Sequence, residues 1–155
     1  PHMNNIAAKA VAFKEALQPS FMAYAKQILK NAKVLEKELK NYGFKLMFGG
    51  TDNHMVLVDV FGSKNVTGKE AEVALDEIGI TVNKNMIPDD PRSPMDPSGI
   101  RIGVPAITTR GMREKEVKQI AKWINNAIEN RKDKMALNKL HREVIKMCKK
   151  FPLPK

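Results

Sequence analysis

The strongest constraint on the fold is a run of four prolines at every third position, Pro88, Pro91, Pro94 and Pro97. Proline holds φ near about −65° and has no amide hydrogen to donate, so neither a helix nor an inner strand can continue through such a run. We therefore expect residues 83–98 to form a stiffened loop. The regular elements of the chain must lie before and after it.

Two further interpretations of this loop stay open from the residues alone. Its P-x-x-P spacing suits a preformed polyproline II segment that an SH3-type domain could bind. Its carboxylates, Asp89, Asp90 and Asp96, could act as paired acids. Aspartates in proline-rich loops more often form turns, and we favour a loop that rigidly supports a neighbouring site.

Two helices are predicted at the start of the chain. Residues 4–17 are rich in helix formers, and Pro19 suits the first turn of a second helix that ends at Tyr42-Gly43. Apolar residues recur every three or four positions along this second helix, which predicts one buried face. The members of that face are Phe21, Tyr24, Ala25, Ile28, Ala32, Leu35 and Leu39.

The remaining pattern predicts a small sheet and three more helices. Apolar runs at residues 44–48 and 54–61 flank Gly49-Gly50-Thr51-Asp52-Asn53, which is typical of the turn of an antiparallel hairpin. Thr67 and Glu70 have the spacing of a capping box, which predicts the start of a helix. The other predicted elements are a helix over residues 68–78, strands at 80–82 and 99–104, and helices over 108–129 and 134–149. This order predicts an α+β fold, in which long N-terminal helices precede a small, mostly antiparallel sheet that helices cover.

The charge of the chain is uneven. Lysine and arginine exceed aspartate and glutamate by ten, and residues 131–155 hold nine basic residues against two acidic ones. The predicted last helix could therefore follow a phosphate backbone, as an RNA-binding module would. Its basic residues lie opposite its apolar face, however, as on an ordinary solvated helix, and no nucleic-acid motif accompanies them. We favour the solvated face and keep RNA binding as the alternative. The basic residues of this face are Lys139, Arg142, Lys146 and Lys149.

The sequence gives little evidence for a metal site or for a membrane-spanning segment. The three histidines, His2, His54 and His141, are far apart, and the single cysteine, Cys148, gives no metal-ligand spacing. That cysteine cannot form an intramolecular disulfide, which favours a reducing, cytoplasmic location. The longest apolar runs have strand length, well short of the about 20 residues that cross a bilayer. We therefore expect neither a metal site nor a membrane partner.

Arg101 is the candidate binding residue that the pattern singles out. It stands between Ile100 and Ile102 on a predicted inner strand. A guanidinium group keeps its charge in a protein, so an arginine at this position needs an anion. That anion can be a carboxylate of the protein itself or the carboxylate of a ligand, and the residues alone leave both open.

A series of motifs in one order resembles the serine hydroxymethyltransferases, also called glycine hydroxymethyltransferases, over residues 6–152. These enzymes use pyridoxal 5'-phosphate (PLP) and tetrahydrofolate to interconvert serine and glycine. The motifs are Gly49-Gly50-Thr51-Asp52-Asn53-His54, Thr67-Gly68-Lys69-Glu70-Ala71, Thr81-Val82-Asn83-Lys84-Asn85, Ser98-Gly99-Ile100-Arg101-Ile102-Gly103, Pro105-Ala106 and Thr108-Thr109-Arg110-Gly111.

The resemblance implies the C-terminal domain of a type I PLP enzyme. Residues 4–18 would end the large PLP domain, and residues 19–155 would form the small C-terminal domain. Residues 1–3, Pro1-His2-Met3, are expected to be a cloning remnant. The parent enzyme would be a cytoplasmic homodimer of one-carbon metabolism.

The resemblance also implies roles for individual residues. Arg101 matches the residue that binds the carboxylate of the amino-acid substrate, and Asn85 matches a residue that hydrogen-bonds the folate pterin. Ser93, Pro94 and Met95 match a loop that helps to hold folate. The family's PLP-binding lysine lies in a threonine-rich motif that is absent here, so no catalytic residue is assigned. We expect this chain alone to bind no cofactor and to be inactive, whereas the full-length enzyme would use PLP and tetrahydrofolate.

Overall fold

A four-stranded antiparallel sheet lies at the centre of the computed structural model, which describes residues 2–154. Seven α-helices accompany it in that part of the chain. The strands are β1 (Lys45–Leu46), β2 (Met55–Asp59), β3 (Asn83–Asn85) and β4 (Gly99–Gly103). The helices are α1 (Met3–Ala16), α2 (Pro19–Asn41), α3 (Val60–Lys64), α4 (Gly68–Glu77), α5 (Pro105–Thr109), α6 (Glu114–Glu129) and α7 (Lys134–Lys150). The predicted α+β class with a small antiparallel sheet is confirmed.

The sheet has one buried face and one open face. Its strand order is β1-β2-β4-β3, so β4 is a central strand. Ile100 and Ile102 of β4 are buried beside their partners Val58 and Val56 of β2. Because successive side chains of a strand point to opposite faces, these four residues pack toward the helices and Arg101 points the other way.

Helices α2, α4 and α6 supply most of the remaining core. The predicted apolar face of α2 is buried in its second half, whereas Phe21 near the start of the helix is 45% exposed. The core face of α6 is centred on Ala121 and Ile124, which are fully buried. None of the helices described over residues 2–154 is long and apolar enough to cross a membrane.

Two local predictions are confirmed in detail. The hairpin pairs β1 with β2 in antiparallel register, with Lys45 opposite Asp59. The capping box is complete, because the Glu70 N–H donates to Thr67 Oγ1 at 3.2 Å and the Thr67 N–H donates to Glu70 Oε2 at 2.9 Å. Helix α4 therefore begins directly after Thr67.

The predicted strand at residues 80–82 is wrong, because the chain pairs with β4 only from Asn83 onward, as β3. The other edge of β3 has no strand partner in the described chain, and there the Lys84 N–H donates to Glu72 Oε1 of α4 at 2.9 Å. Strand formation thus follows the available partners and not the β-branched composition of residues 80–82. The irregular loop is correspondingly shorter and covers residues 86–98.

Two element boundaries also differ from the prediction. The second hairpin strand ends at Asp59, because this side chain accepts a backbone N–H and caps the short helix α3. The predicted helix over residues 108–129 is two helices, α5 and α6, separated by a turn in which Gly111 has a φ of 88°. Glu116 then marks the start of α6, since its carboxylate accepts the Arg113 N–H at 3.0 Å.

The carboxylate of Asp90 organises the proline loop. It accepts hydrogen bonds from the Ser98 hydroxyl at 2.7 Å, from the Ser98 N–H at 3.0 Å, and from the N–H groups of Arg92 at 3.0 Å and Ile87 at 3.2 Å. Burial opposes ionisation of this group, but the hydrogen bonds from Ser98, Arg92 and Ile87 outweigh it and lower the pKa of Asp90 to about 2. Asp90 therefore has the turn-forming role that the sequence favours.

Helix α1 lies outside the core. None of its 14 residues is buried within the described chain. Its apolar side chains face solvent, with Val11 58% exposed, Phe13 67% exposed and Leu17, just beyond the helix, 84% exposed. An isolated helix of this length is only marginally stable in water, so α1, which buries no side chain in the described chain, should be marginally stable here.

Replacement of Asp90 by asparagine should make the free energy of unfolding less sensitive to a fall in pH. The pKa of Asp90 is lowered from 3.8 to about 2 in the folded chain, so its contribution is fully present above about pH 5 and is lost as pH falls toward 2. Asp90→Asn should therefore cost about 1–2 kcal/mol at pH 7 and progressively less below pH 4. Denaturant unfolding of both proteins across this pH range measures the difference. Asp89→Asn is the matched control, because Asp89 is exposed and its φ of 54° suits asparagine. An equal loss of stability at pH 7 and at pH 2 would contradict the assignment.

The amides of α1 should exchange with solvent far faster than those of α6. Opening α1 exposes no buried side chain, so its opening free energy should be close to zero, whereas the amides of α6 should open only near global unfolding. Hydrogen exchange of the chain in dilute solution, with the monomeric state verified by sedimentation, measures both. Protection of α1 equal to that of α6 in such a sample would contradict this expectation.

Candidate functional site

The candidate site lies on the open face of the sheet, around Arg101. The register places Arg101 between Leu57 of β2 and Asn83 of β3. Its side chain is exposed, and its guanidinium group makes no hydrogen bond or ion pair with any residue from 2 to 154. The sequence left open whether Arg101 pairs with a carboxylate of the protein or with that of a ligand. No carboxylate of residues 2–154 pairs with it. The guanidinium group is free to bind an external anion.

A cavity of about 520 Å³ adjoins Arg101. Asn85 lines the same cavity, so the structure brings together two of the residues that the sequence singled out. Leu57 and Met55 of β2 contribute apolar surface, and Phe48 stands at the rim. The cavity thus combines one unpaired cation, a polar amide and an apolar wall, which suits a small carboxylate bound in a fixed orientation.

Asn85 is the last residue of β3 and pairs with Gly99, two residues from Arg101 along β4. Because side chains two residues apart share a face of the sheet, Asn85 and Arg101 project to the same side. Its side-chain N–H donates to the Met86 carbonyl oxygen at 2.6 Å. This hydrogen bond orients the amide group. Its side-chain oxygen, which has no donor among the described residues, remains available to accept a hydrogen bond from a ligand.

Ser93, Pro94 and Met95 lie apart from this cavity. All three are exposed on the proline loop, and Met95 is 77% exposed. The Arg92 side chain beside them is fixed by stacking over the Phe61 ring, 4.7 Å from its centroid, and by donating to the Asp96 carbonyl oxygen at 2.9 Å. The loop is therefore well supported, but the structure of this chain does not join it to the Arg101 cavity.

Two residues of this region were missed by the sequence analysis. Phe48, predicted to end a strand, lies in a single turn of 3₁₀ helix, where it has a φ of 55° and is 84% exposed. Glu36 of α2 is mostly buried and accepts the Thr51 N–H at 3.2 Å. The only sequence feature that could have indicated the turn conformation of Phe48 is its position directly before Gly49-Gly50. Nothing in the local sequence indicates the role of Glu36.

Three further features of residues 2–154 bear on other chemistry: two lysines, the potential metal ligands and the basic residues of α7. Lys84 pairs with Glu72 at 3.5 Å and Lys64 pairs with Glu129 at 3.1 Å. In residues 2–154, no three histidine, cysteine or acidic side chains gather as a metal site requires. The basic residues of α7 are exposed on one side of the helix, as expected of a solvated face.

Comparison with known proteins agrees with the motifs. The family model for serine hydroxymethyltransferase matches residues 1–124. The serine hydroxymethyltransferase of Acidobacterium capsulatum is 54% identical over 153 residues, which cover 99% of this chain and 36% of that protein. The chain therefore spans about a third of the length of this relative. The resemblance identified from the motifs is confirmed, and the chain belongs to the serine hydroxymethyltransferase family.

Proposed function

We propose that this chain is the C-terminal part of a PLP-dependent enzyme that interconverts serine and glycine with tetrahydrofolate in the cytoplasm. The family match and the 54% identity to a serine hydroxymethyltransferase support this activity. Because the chain corresponds to 36% of that relative, catalysis belongs to the whole protein. In the whole enzyme, residues 4–18 would end the large domain and residues 19–155 would form the small one.

The residues of this chain suit the substrate carboxylate and not PLP. The lysine that lines the Arg101 cavity, Lys33, pairs with Glu36 at 3.2 Å and with Asp52 at 3.3 Å, so its ammonium group is engaged by two carboxylates. PLP would therefore be held by the rest of the enzyme.

Arg101 would bind the carboxylate of serine or glycine. The observation that carries this role is an exposed guanidinium group on a central strand, beside a cavity and without an internal partner among residues 2–154. A planar guanidinium can donate two parallel hydrogen bonds to one carboxylate, which fixes the orientation of the bonds at the substrate Cα. Lysine cannot supply this geometry, because its ammonium group acts as a point charge.

Asn85 and the proline loop would contribute to the folate site. Asn85 lines the Arg101 cavity, so a group bound to its amide oxygen would lie close to the substrate. Ser93, Pro94 and Met95 would approach folate from the loop that Asp90 holds in shape. The exposed apolar side chains of α1 are consistent with a large domain that covers them, and the parent enzyme would be a homodimer.

Substitution of Arg101 should impair serine use without affecting folding. In the full-length enzyme, Arg101→Lys and Arg101→Ala should lower kcat/KM for serine by up to about a thousandfold, because each charge-assisted hydrogen bond contributes about 1.5–3 kcal/mol. The melting temperature should barely change, since Arg101 has no partner within residues 2–154. Steady-state kinetics and calorimetry measure the two effects.

Arg110→Ala is the matched control for this experiment. Its guanidinium group donates to the carbonyl oxygens of Phe151 at 2.7 Å and Cys148 at 3.0 Å, so it holds the end of α7. This variant should lose stability while keeping near-normal kinetics per folded enzyme. If Arg101→Ala behaved like Arg110→Ala, the carboxylate-binding role would be refuted.

The chain of residues 1–155 should not take up PLP on its own. The cavity lysine is engaged in ion pairs, and the family's PLP-binding motif is absent from the sequence. Titration with PLP should give at most weak, non-saturating absorbance changes, and the chain should not cleave serine. Saturable one-to-one uptake together with serine cleavage would contradict this expectation. The full-length enzyme serves as the positive control.

A further inference from the structure

We propose that Glu36 is a positioning residue, which fixes the wall of the Arg101 cavity by holding the loop at residues 49–51. This inference rests on the proposed function, since it assigns Glu36 a part in forming the substrate-carboxylate site. Glu36 does not touch the substrate in this account. It acts through the backbone of the loop.

Glu36 and its ion-pair partner Lys40 attach helix α2 to both ends of the loop. Its Oε2 accepts the Thr51 N–H at 3.2 Å, and its Oε1 accepts the Lys40 ammonium at 2.7 Å. The same Lys40 ammonium donates to the Gly49 carbonyl oxygen at 2.6 Å. One acidic and one basic side chain of α2 thus bind the loop at two backbone atoms on either side of Gly50.

The loop has the shape that admits this carboxylate. Gly50 has a φ of 148°, and a Cβ atom at this position would overlap the Glu36 carboxylate group. Gly49 also has a positive φ, 71°. Only glycine adopts such backbone conformations freely, so the Gly-Gly pair allows the loop to close directly onto Glu36.

The same loop forms the wall of the cavity. Phe48, Gly49, Gly50 and Thr51 all line it together with Arg101. Thr51 is buried and donates its hydroxyl to the Met55 carbonyl oxygen, which connects the loop to the start of β2. Movement of the loop away from α2 would therefore carry Phe48 and Gly50 with it and change the space beside Arg101.

Glu36 also balances charge in the cavity. Burial opposes its ionisation, but hydrogen bonds from Lys40, the Thr51 N–H and Lys33 outweigh burial and lower the pKa of Glu36. The carboxylate is therefore ionised at neutral pH and pairs with Lys33, the other cation of the cavity wall. Arg101 is then the cavity cation without a carboxylate partner in the described part of the chain, which directs an anion to it.

The test uses two substitutions that disturb the loop from opposite sides. In the full-length enzyme, Glu36→Ala removes the anchor and Gly50→Ala pushes the loop off the anchor. Each should raise KM for serine about tenfold, with a smaller change in kcat, because a misplaced wall weakens alignment of the carboxylate. Glu36→Gln keeps an acceptor for the Thr51 N–H but loses the ion pairs with Lys40 and Lys33, so its KM should lie between those of the parent enzyme and Glu36→Ala. Glu38→Ala, which removes a carboxylate from the same helix, is the matched control and should leave KM unchanged.

The loop itself can be followed in the chain without any substrate. The Thr51 amide should exchange faster in Glu36→Ala than in the parent chain, while the amides of α6 should keep their protection. A KM within twofold of normal for both Glu36→Ala and Gly50→Ala would overturn the proposal. A loss confined to kcat that disappears when rates are normalised to folded enzyme would overturn it as well. If Arg101→Lys has no effect on serine use, the proposed function fails. If Arg101→Lys is impaired and Glu36→Ala is normal, only the role of Glu36 fails.

Discussion

The alternation of side chains along β4 is the constraint on which the rest of the site depends. Ile100 and Ile102 are drawn into the core by their apolar surface, with 0% and 6% of each exposed. Because side chains alternate between the two faces of a strand, Arg101 then lies on the opposite face. Hydrophobic burial on one side of the sheet thus places a permanent cation on the other, without any polar interaction to hold it there.

Two partly buried carboxylates give shape to the irregular segments around this cation. Asp90 accepts four hydrogen bonds within the proline loop, and Glu36 accepts the Thr51 N–H from the glycine loop. These carboxylates accept backbone N–H groups that no sheet or helix satisfies, and such groups need a partner wherever water cannot reach them. The rigid strands position Arg101 and Asn85, and these carboxylates position the loops beside them.

Features that depend on near neighbours in the sequence could be predicted. The capping box at Thr67, the hairpin and the buried face in the second half of α2 all follow from spacing within a few turns or one strand pair. The strand at residues 83–85 could not, because its polar side chains carry no strand signal and its position depends on pairing with β4. Glu36 could not either, since its contact with Thr51 joins residues 15 positions apart. Arg101 could be singled out from its isoleucine neighbours, but only the fold shows that its guanidinium group faces an open cavity.

The most direct measurement of the central claim is a crystal structure of the full-length enzyme with PLP and glycine. The account predicts that both carboxylate oxygens of glycine lie about 2.7–3.0 Å from two nitrogens of Arg101, with Asn85 at the border of the same cavity. A structure in which Arg101 pairs with a carboxylate of the large domain, while the glycine carboxylate is bound elsewhere, would contradict it.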